Sequence, residues 1–338
     1  MVSWVIYAGA IAVIAIYFAL DKENYVLSNV TLKVLGINPT TWHEGESWAR
    51  VLDVYDQRVE EHFGHCTSRV IPTTFGNTHA IDCSSKINLP VVLYFHGARA
   101  TATSWAYQLN DPELRENFRL VAIDYICDVG RSQPKVCPSK KGDHGQWVKE
   151  IMDYIGAESA HFVGYSYGSF VSAVVGIEAP ELSKGKHVIL NAPAAIFAPI
   201  TVGFWYHVLM SAIFKNYMGF GVKWMWTWMV SPNYDMDNEQ FEREMQFQIA
   251  IDAVNYEYVI SMMPYQFSNA ELQMLKLNTK TLTLIMPEFE TVTKPEEAIK
   301  HAEANGVEAV IVKDCGHAML FEKTQENSKV VKQRLLER

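Results

Sequence analysis

The sequence predicts an α/β domain: a mostly parallel sheet with helices on both faces, plus one helical insertion. Three observations carry this. Short, predominantly apolar β-rich runs recur at 91–95, 120–124, 160–163, 187–190, 281–286 and 309–312, with helical stretches such as 146–155 between them. Strands without in–out alternation need cover on both faces, and strand–helix alternation supplies it. The alternation breaks once, between 194 and 270. That stretch shows no clear strand and holds four of the nine tryptophans and eight of the thirteen methionines. Its density, as in Trp224-Met225-Trp226-Thr227-Trp228-Met229, exceeds what covering a sheet requires. It reads as a helical cap inserted after the sixth strand, with side chains suited to an adaptable apolar pocket. Finally, Gly164-Tyr165-Ser166-Tyr167-Gly168 lies between the run at 160–163 and a small-residue helical run, the setting of a strained strand-to-helix turn.

In chain order, residues 2–20 carry no charge and match the roughly 20 residues that a membrane-spanning helix needs. No basic leader segment or small-residue cleavage site marks a signal peptide. Residues 1–20 are therefore expected to be a single-pass membrane anchor. Counting Lys22 and Lys33 behind the span leans toward a cytoplasmic catalytic domain. Asn29-Val30-Thr31 is a glycosylation sequon that matters only on the opposite side. Residues 21–65 read as a linker and an amphipathic helix, with Trp48, Val51, Leu52, Tyr55, Val59 and Phe63 at helical spacing. The stretches 69–74 and 78–82, joined at Gly76-Asn77, read as a β-hairpin.

The 338 residues, 49% hydrophobic and 20% charged, suffice for one large α/β domain at 66–338 with a cap at about 194–270. A net charge of -9 argues against nucleic acid as a partner. The five cysteines form no CxxC pair and no paired metal-ligand spacing, so no metal site is expected. Cys127 and Cys137 could close a disulfide. Cys66 and Cys83 bracket the hairpin, but not in matching register if its turn lies at Gly76-Asn77. Five free thiols is the other reading.

Chemistry concentrates at three places. Ser166, lifted on its turn, is a candidate nucleophile. His96-Gly97 ends a strand, so the Ala98 amide can face Ser166, with the Tyr167 amide at a helix N-terminus as second oxyanion donor. Gly316-His317 follows the last strand, where the imidazole can act as general base. A carboxylate should lie between them in chain order. Glu288 and Glu290 both leave the strand at 281–286, and either can orient His317. Asp124, before the serine in sequence, is expected to fix the turn that follows it.

Together these pieces resemble the α/β-hydrolase superfamily, in particular its cap-bearing branch of esterases, lipases, C–C hydrolases and epoxide hydrolases. The resemblance runs from about residue 69 to the C-terminus. It rests on His96-Gly97 with Trp105, on Asp124 with Gly130-Arg131-Ser132, on the serine turn, and on Gly316-His317 with Glu322. It implies Ser166 as nucleophile, His317 as base, Glu290 as acid and Ala98 and Tyr167 as oxyanion amides. Pro287 and Glu290 stand where the family usually has glycine and aspartate. A serine nucleophile also disfavours dehalogenase and epoxide hydrolase chemistry, whose relatives carry aspartate there.

The expected function is thus a membrane-anchored serine hydrolase that cleaves a lipophilic carboxylic ester through an acyl-enzyme, without metal or organic cofactor. Its partners would be a lipophilic ester and the lipid membrane. Alternatives are a thioester, amide or C–C bond hydrolase of the same fold, and a catalytically silent, membrane-tethered binding or interaction protein.

Overall fold

The computed structural model describes residues 46–84, 86–214, 219–253 and 261–337. The expected anchor and the sequon at Asn29 lie outside them. No helix among the described residues is long and apolar enough to cross a membrane.

A twisted sheet of nine strands organises the domain. These are β1 (Thr67–Thr73), β2 (Gly76–Asp82), β3 (Val91–Phe95), β4 (Arg119–Ile123), β5 (Gln133–Pro134), β6 (Ala160–Tyr165), β7 (His187–Asn191), β8 (Thr281–Phe289) and β9 (Glu308–Gly316). Their spatial order is β1-β2-β4-β3-β6-β7-β8-β9, with β5 paired to the edge of β2. The pairs from β4 through β9 are parallel, and β2 joins both β1 and β4 antiparallel. All five residues of β3 are buried, because its side chains alternate between two covered faces. Val91, Leu93 and Phe95 pack with α3 (Asp143–Ile155) and α4 (Tyr167–Glu178), through Trp147, Ile151 and Phe170. Val92 and Tyr94 meet Tyr55 of α1 (Glu46–His62), Trp105, Leu114 of α2 (Pro112–Asn117) and Val331 and Leu335 of the C-terminal helix Thr324–Leu336.

The hairpin departs from expectation in register. Thr73 pairs with Gly76, so the two-residue turn is Thr74-Phe75 rather than Gly76-Asn77. Gly76 instead lets β5 approach, since a Cβ there would strike the Gln133 carbonyl. With Thr67 opposite Asp82, Cys66 faces Cys83, and the two form a disulfide with a Cα separation of 4.2 Å. Cys127 and Cys137 form a second disulfide, leaving Cys315 as the buried free thiol. Five free thiols is therefore wrong. The His65, Cys66 and Cys83 grouping of ligand-type side chains is taken up by the first disulfide.

The cap follows β7, the strand after which it is expected; the two-residue β5 makes that strand the seventh rather than the sixth. It contributes α5 (Val202–Ile213), α6 (Phe220–Met229) and α7 (Glu239–Ala253). No acid or Lys/Arg interrupts α5, and α6 has Lys223 alone. On the outer side His207 stacks between Trp224 and Trp228, with ring centroids at 4.4 and 4.1 Å. Helix α7 packs on α1 through Phe247, Ile251, Trp48 and Val51, closing the cap over the sheet's C-terminal edge.

Candidate active site

Ser166 sits where β6 ends and α4 begins, at φ 51° and ψ -115°. An L residue resists that backbone conformation, so the surroundings must impose it. They do so from two sides. The Ser166 amide donates to the Asn191 carbonyl at 2.9 Å, and Asn191 Nδ2 donates to the Gly164 carbonyl at 2.7 Å. A Cβ on Gly164 would meet the backbone of Gly168 and Ser169, and one on Gly168 would collide with the Phe95 and His96 carbonyls. Both glycines are therefore demanded by close approach.

His317 Nε2 lies 2.9 Å from Ser166 Oγ, and His317 Nδ1 lies 2.9 and 2.8 Å from the two Glu290 oxygens. A carboxylate facing Nδ1 places the proton there and leaves the Nε2 lone pair for the serine hydroxyl. His317 and Glu290 are buried. The Val292 amide also donates to Glu290 Oε1 at 2.7 Å, which fixes the carboxylate. Tyr165 donates its hydroxyl to the His317 carbonyl at 2.9 Å. Burial, reinforced by the nearby Glu290 charge, pushes the Tyr165 phenol well above its ordinary range, so it stays a neutral donor. Glu322 steadies the same turn by accepting from the Gly316 amide at 3.1 Å and from the Ser231 amide at 2.6 Å.

Glu288 points elsewhere. It pairs with Lys313 at 2.7 Å and accepts from the Asp314 amide at 2.8 Å. The β8–β9 register slips between Pro287 and Phe289, which puts Glu288 and Glu290 into different surroundings despite their spacing of two. Asp124 is likewise remote from Ser166. It accepts from the Ala102 amide at 2.8 Å and the Arg131 amide at 3.1 Å, holding the turns that follow β3 and β4.

Ala98 and Tyr167 line the same cavity as Ser166 and His317. The loop that carries Ala98 is clamped at its next residue. Arg99 has φ 59°, its amide donates to Asp128 Oδ2 at 2.9 Å, and its carbonyl accepts from Gln248 Nε2 at 3.0 Å. Gln248 belongs to α7, so the cap itself holds the loop in place. The His96 ring completes the support, with Nδ1 donating to the Gly97 carbonyl and Nε2 accepting from the Tyr125 amide. Asn191, Asp128 and Gln248 carry no spacing signal in the sequence, and reasoning from sequence did not find them.

The cavity encloses about 1690 Å³. Phe204, Trp205, Met225, Trp226 and Met229 of the cap form its apolar wall. Arg58 and Glu244, paired at 2.8 Å, also line it.

Comparison with known proteins agrees with this fold. Residues 90–206 match the family model described as the alpha/beta hydrolase fold. The chain is 25% identical over 289 residues to the uncharacterized carboxylesterase nap of Bacillus subtilis (strain 168), covering 84% of this chain and 91% of that protein. It is 25% identical over 286 residues to carboxylesterase YbfK of the same organism, covering 83% and 91%. The crystal structure of naproxen esterase (carboxylesterase NP) from Bacillus subtilis superposes with a TM-score of 0.74 at 23% identity, covering 86% of this chain and 98% of that one. The sheet order, the strained serine turn and these matches together show that the chain has the α/β-hydrolase fold.

Proposed function

We propose that the protein is a serine carboxylesterase whose nucleophile, base and acid are Ser166, His317 and Glu290. The observation that carries this is the continuous hydrogen-bonded line from Glu290 through His317 to Ser166 at the floor of an apolar cavity. The Ser166 hydroxyl attacks the ester carbon as its proton passes to His317 Nε2. Glu290 stabilises the imidazolium and holds its tautomer, and the amides of Ala98 and Tyr167 receive the developing oxyanion. His317 then protonates the departing alkoxide, and water reverses the sequence to release the acid. The carboxylesterase relatives support ester cleavage over thioester, amide or C–C cleavage.

The substrate class in this reading is a lipophilic ester. At about 1690 Å³ the cavity exceeds the roughly 300–1,000 Å³ usual for small-molecule pockets, and its cap wall is aromatic and thioether-rich. Each buried methylene contributes about 0.8 kcal/mol, so four added acyl carbons should raise kcat/KM by up to about 10²-fold. A series of p-nitrophenyl esters from acetate upward tests this. A flat or falling dependence on chain length removes the lipophilic-pocket reading.

The anchor at 1–20 would hold this site beside a lipid source. The two disulfides favour an oxidising compartment for the catalytic domain, against the cytoplasmic lean of the basic-residue count. Full-length protein trapped with an alkylating agent at lysis, then denatured without reductant, should carry one alkylated cysteine, Cys315. Five alkylated cysteines would return the domain to a reducing compartment.

A further inference from the structure

A second hydrogen-bonded serine–histidine–carboxylate line lies outside this site, at the β1 edge of the sheet. Ser68 Oγ on β1 is 2.7 Å from His79 Nε2, and His79 Nδ1 is 2.8 Å from Asp124 Oδ2. Asp124 and His79 are buried, whereas Ser68 is exposed. Burial raises the Asp124 pKa, but the hydrogen bond from His79, with the Ala102 amide among other contributions, brings it below its ordinary value. An ionised carboxylate at Nδ1 puts the imidazole proton there and aims the Nε2 lone pair at the Ser68 hydroxyl. The relay is rigid. Tyr55 donates to the same Asp124 oxygen at 2.9 Å, and the His79 amide donates to Ser132 Oγ at 2.9 Å. Ser68, Tyr55, His79 and Arg131 line a cavity of about 390 Å³ that shares no lining residue with the one over Ser166.

We propose that Ser68 is a second acyl-accepting nucleophile, matched to small activated esters and independent of the chemistry assigned to Ser166. Ser68 Oγ bonds to the acyl carbon, the bond from that carbon to the leaving oxygen breaks, and the serine proton travels through His79 Nε2 to the leaving oxygen. An alcohol departs and acyl-Ser68 remains. At about 390 Å³ the cavity lies at the lower end of the range for small-molecule pockets and admits a small ester. Strand β1 continues to Thr73, so no helix N-terminus follows Ser68, and because Arg131 is held by Asp56, the oxyanion must be met by a side-chain amide such as Gln133 in the same cavity. The same shortage slows attack of water on acyl-Ser68. The adduct therefore accumulates instead of turning over.

The test uses full-length Ser166→Ala protein, p-nitrophenyl acetate and peptide mass mapping over time. Ser268 is the internal control, because it is exposed but bonded to the Glu271 carboxylate rather than to an imidazole. Acetylation at Ser68 should outpace that at Ser268 by about 10²-fold, the lower range for general-base assistance. Ser68→Ala in the same background should remove the adduct, and His79→Gln, with its melting temperature checked, should bring Ser68 down to the Ser268 rate. Acetylation of Ser68 no faster than Ser268 overturns the proposal, and that comparison stands even if His79→Gln does not fold.

Discussion

Replacing Ser166 with alanine should lower kcat for ester hydrolysis by about 10⁶, the loss seen when a triad serine is removed, while the melting temperature stays near that of the wild type. The two halves of this expectation have separate causes. The chemical half follows because Ser166 Oγ is the atom toward which His317 Nε2 points, at 2.9 Å. The structural half follows because the strained backbone at φ 51° is imposed by Asn191, Gly164 and Gly168, none of which the substitution touches. Fluorophosphonate labelling of the peptide that contains residue 166 should vanish in parallel. Hydrolysis near the wild-type rate in the alanine protein would remove Ser166 from the mechanism altogether.

What could be read from the sequence was decided by whether a residue's role leaves a periodic or positional trace. Six strands and their parallel arrangement were legible, because burial on both faces forces continuous apolar runs such as Val91, Val92, Leu93, Tyr94 and Phe95. The two-residue β5 has no run to leave and was invisible. The hairpin was legible but its register was not. Glycine at position 76 reads as a turn residue, yet it is there to admit β5, and the turn falls on Thr74-Phe75. That shift hid the match of Cys66 with Cys83. Ser166 and His317 were legible because each follows a strand in an order that the fold requires. Asp128 and Gln248 were not, since they act on Arg99 from 29 and 149 residues away. Ser68 and His79, and their link to Asp124, escaped for the same reason: only the pairing of β1, β2 and β4 assembles them.

Changing Glu290 to glutamine should lower kcat by about 10⁴, the scale seen when a triad acid is neutralised, with KM little altered. Glutamine has nearly the shape of glutamate, so it still fills the buried site beside the Val292 amide. It differs in offering an N–H where a second acceptor stood. With that N–H aimed at Nδ1, the imidazole proton moves to Nε2, and the base that should receive the Ser166 proton is occupied. The imidazolium formed during attack also loses its counter-charge in a dry site. Two control carboxylates separate this from a general effect of lost charge. Glu288, half-buried and tied to the exposed Lys313 and the Asp314 amide, faces away from His317, so Glu288→Gln should leave kcat within a few-fold, roughly as expected of a surface ion pair. Asp124 holds the turns after β3 and β4, so Asp124→Asn should lower the melting temperature before it lowers kcat at Ser166. Measuring kcat, KM and melting temperature for the three variants distinguishes these roles. A large, purely kinetic loss at Glu288 with Glu290→Gln near normal would transfer the acid's role two residues back, against the 2.8 Å contact between Glu290 and His317.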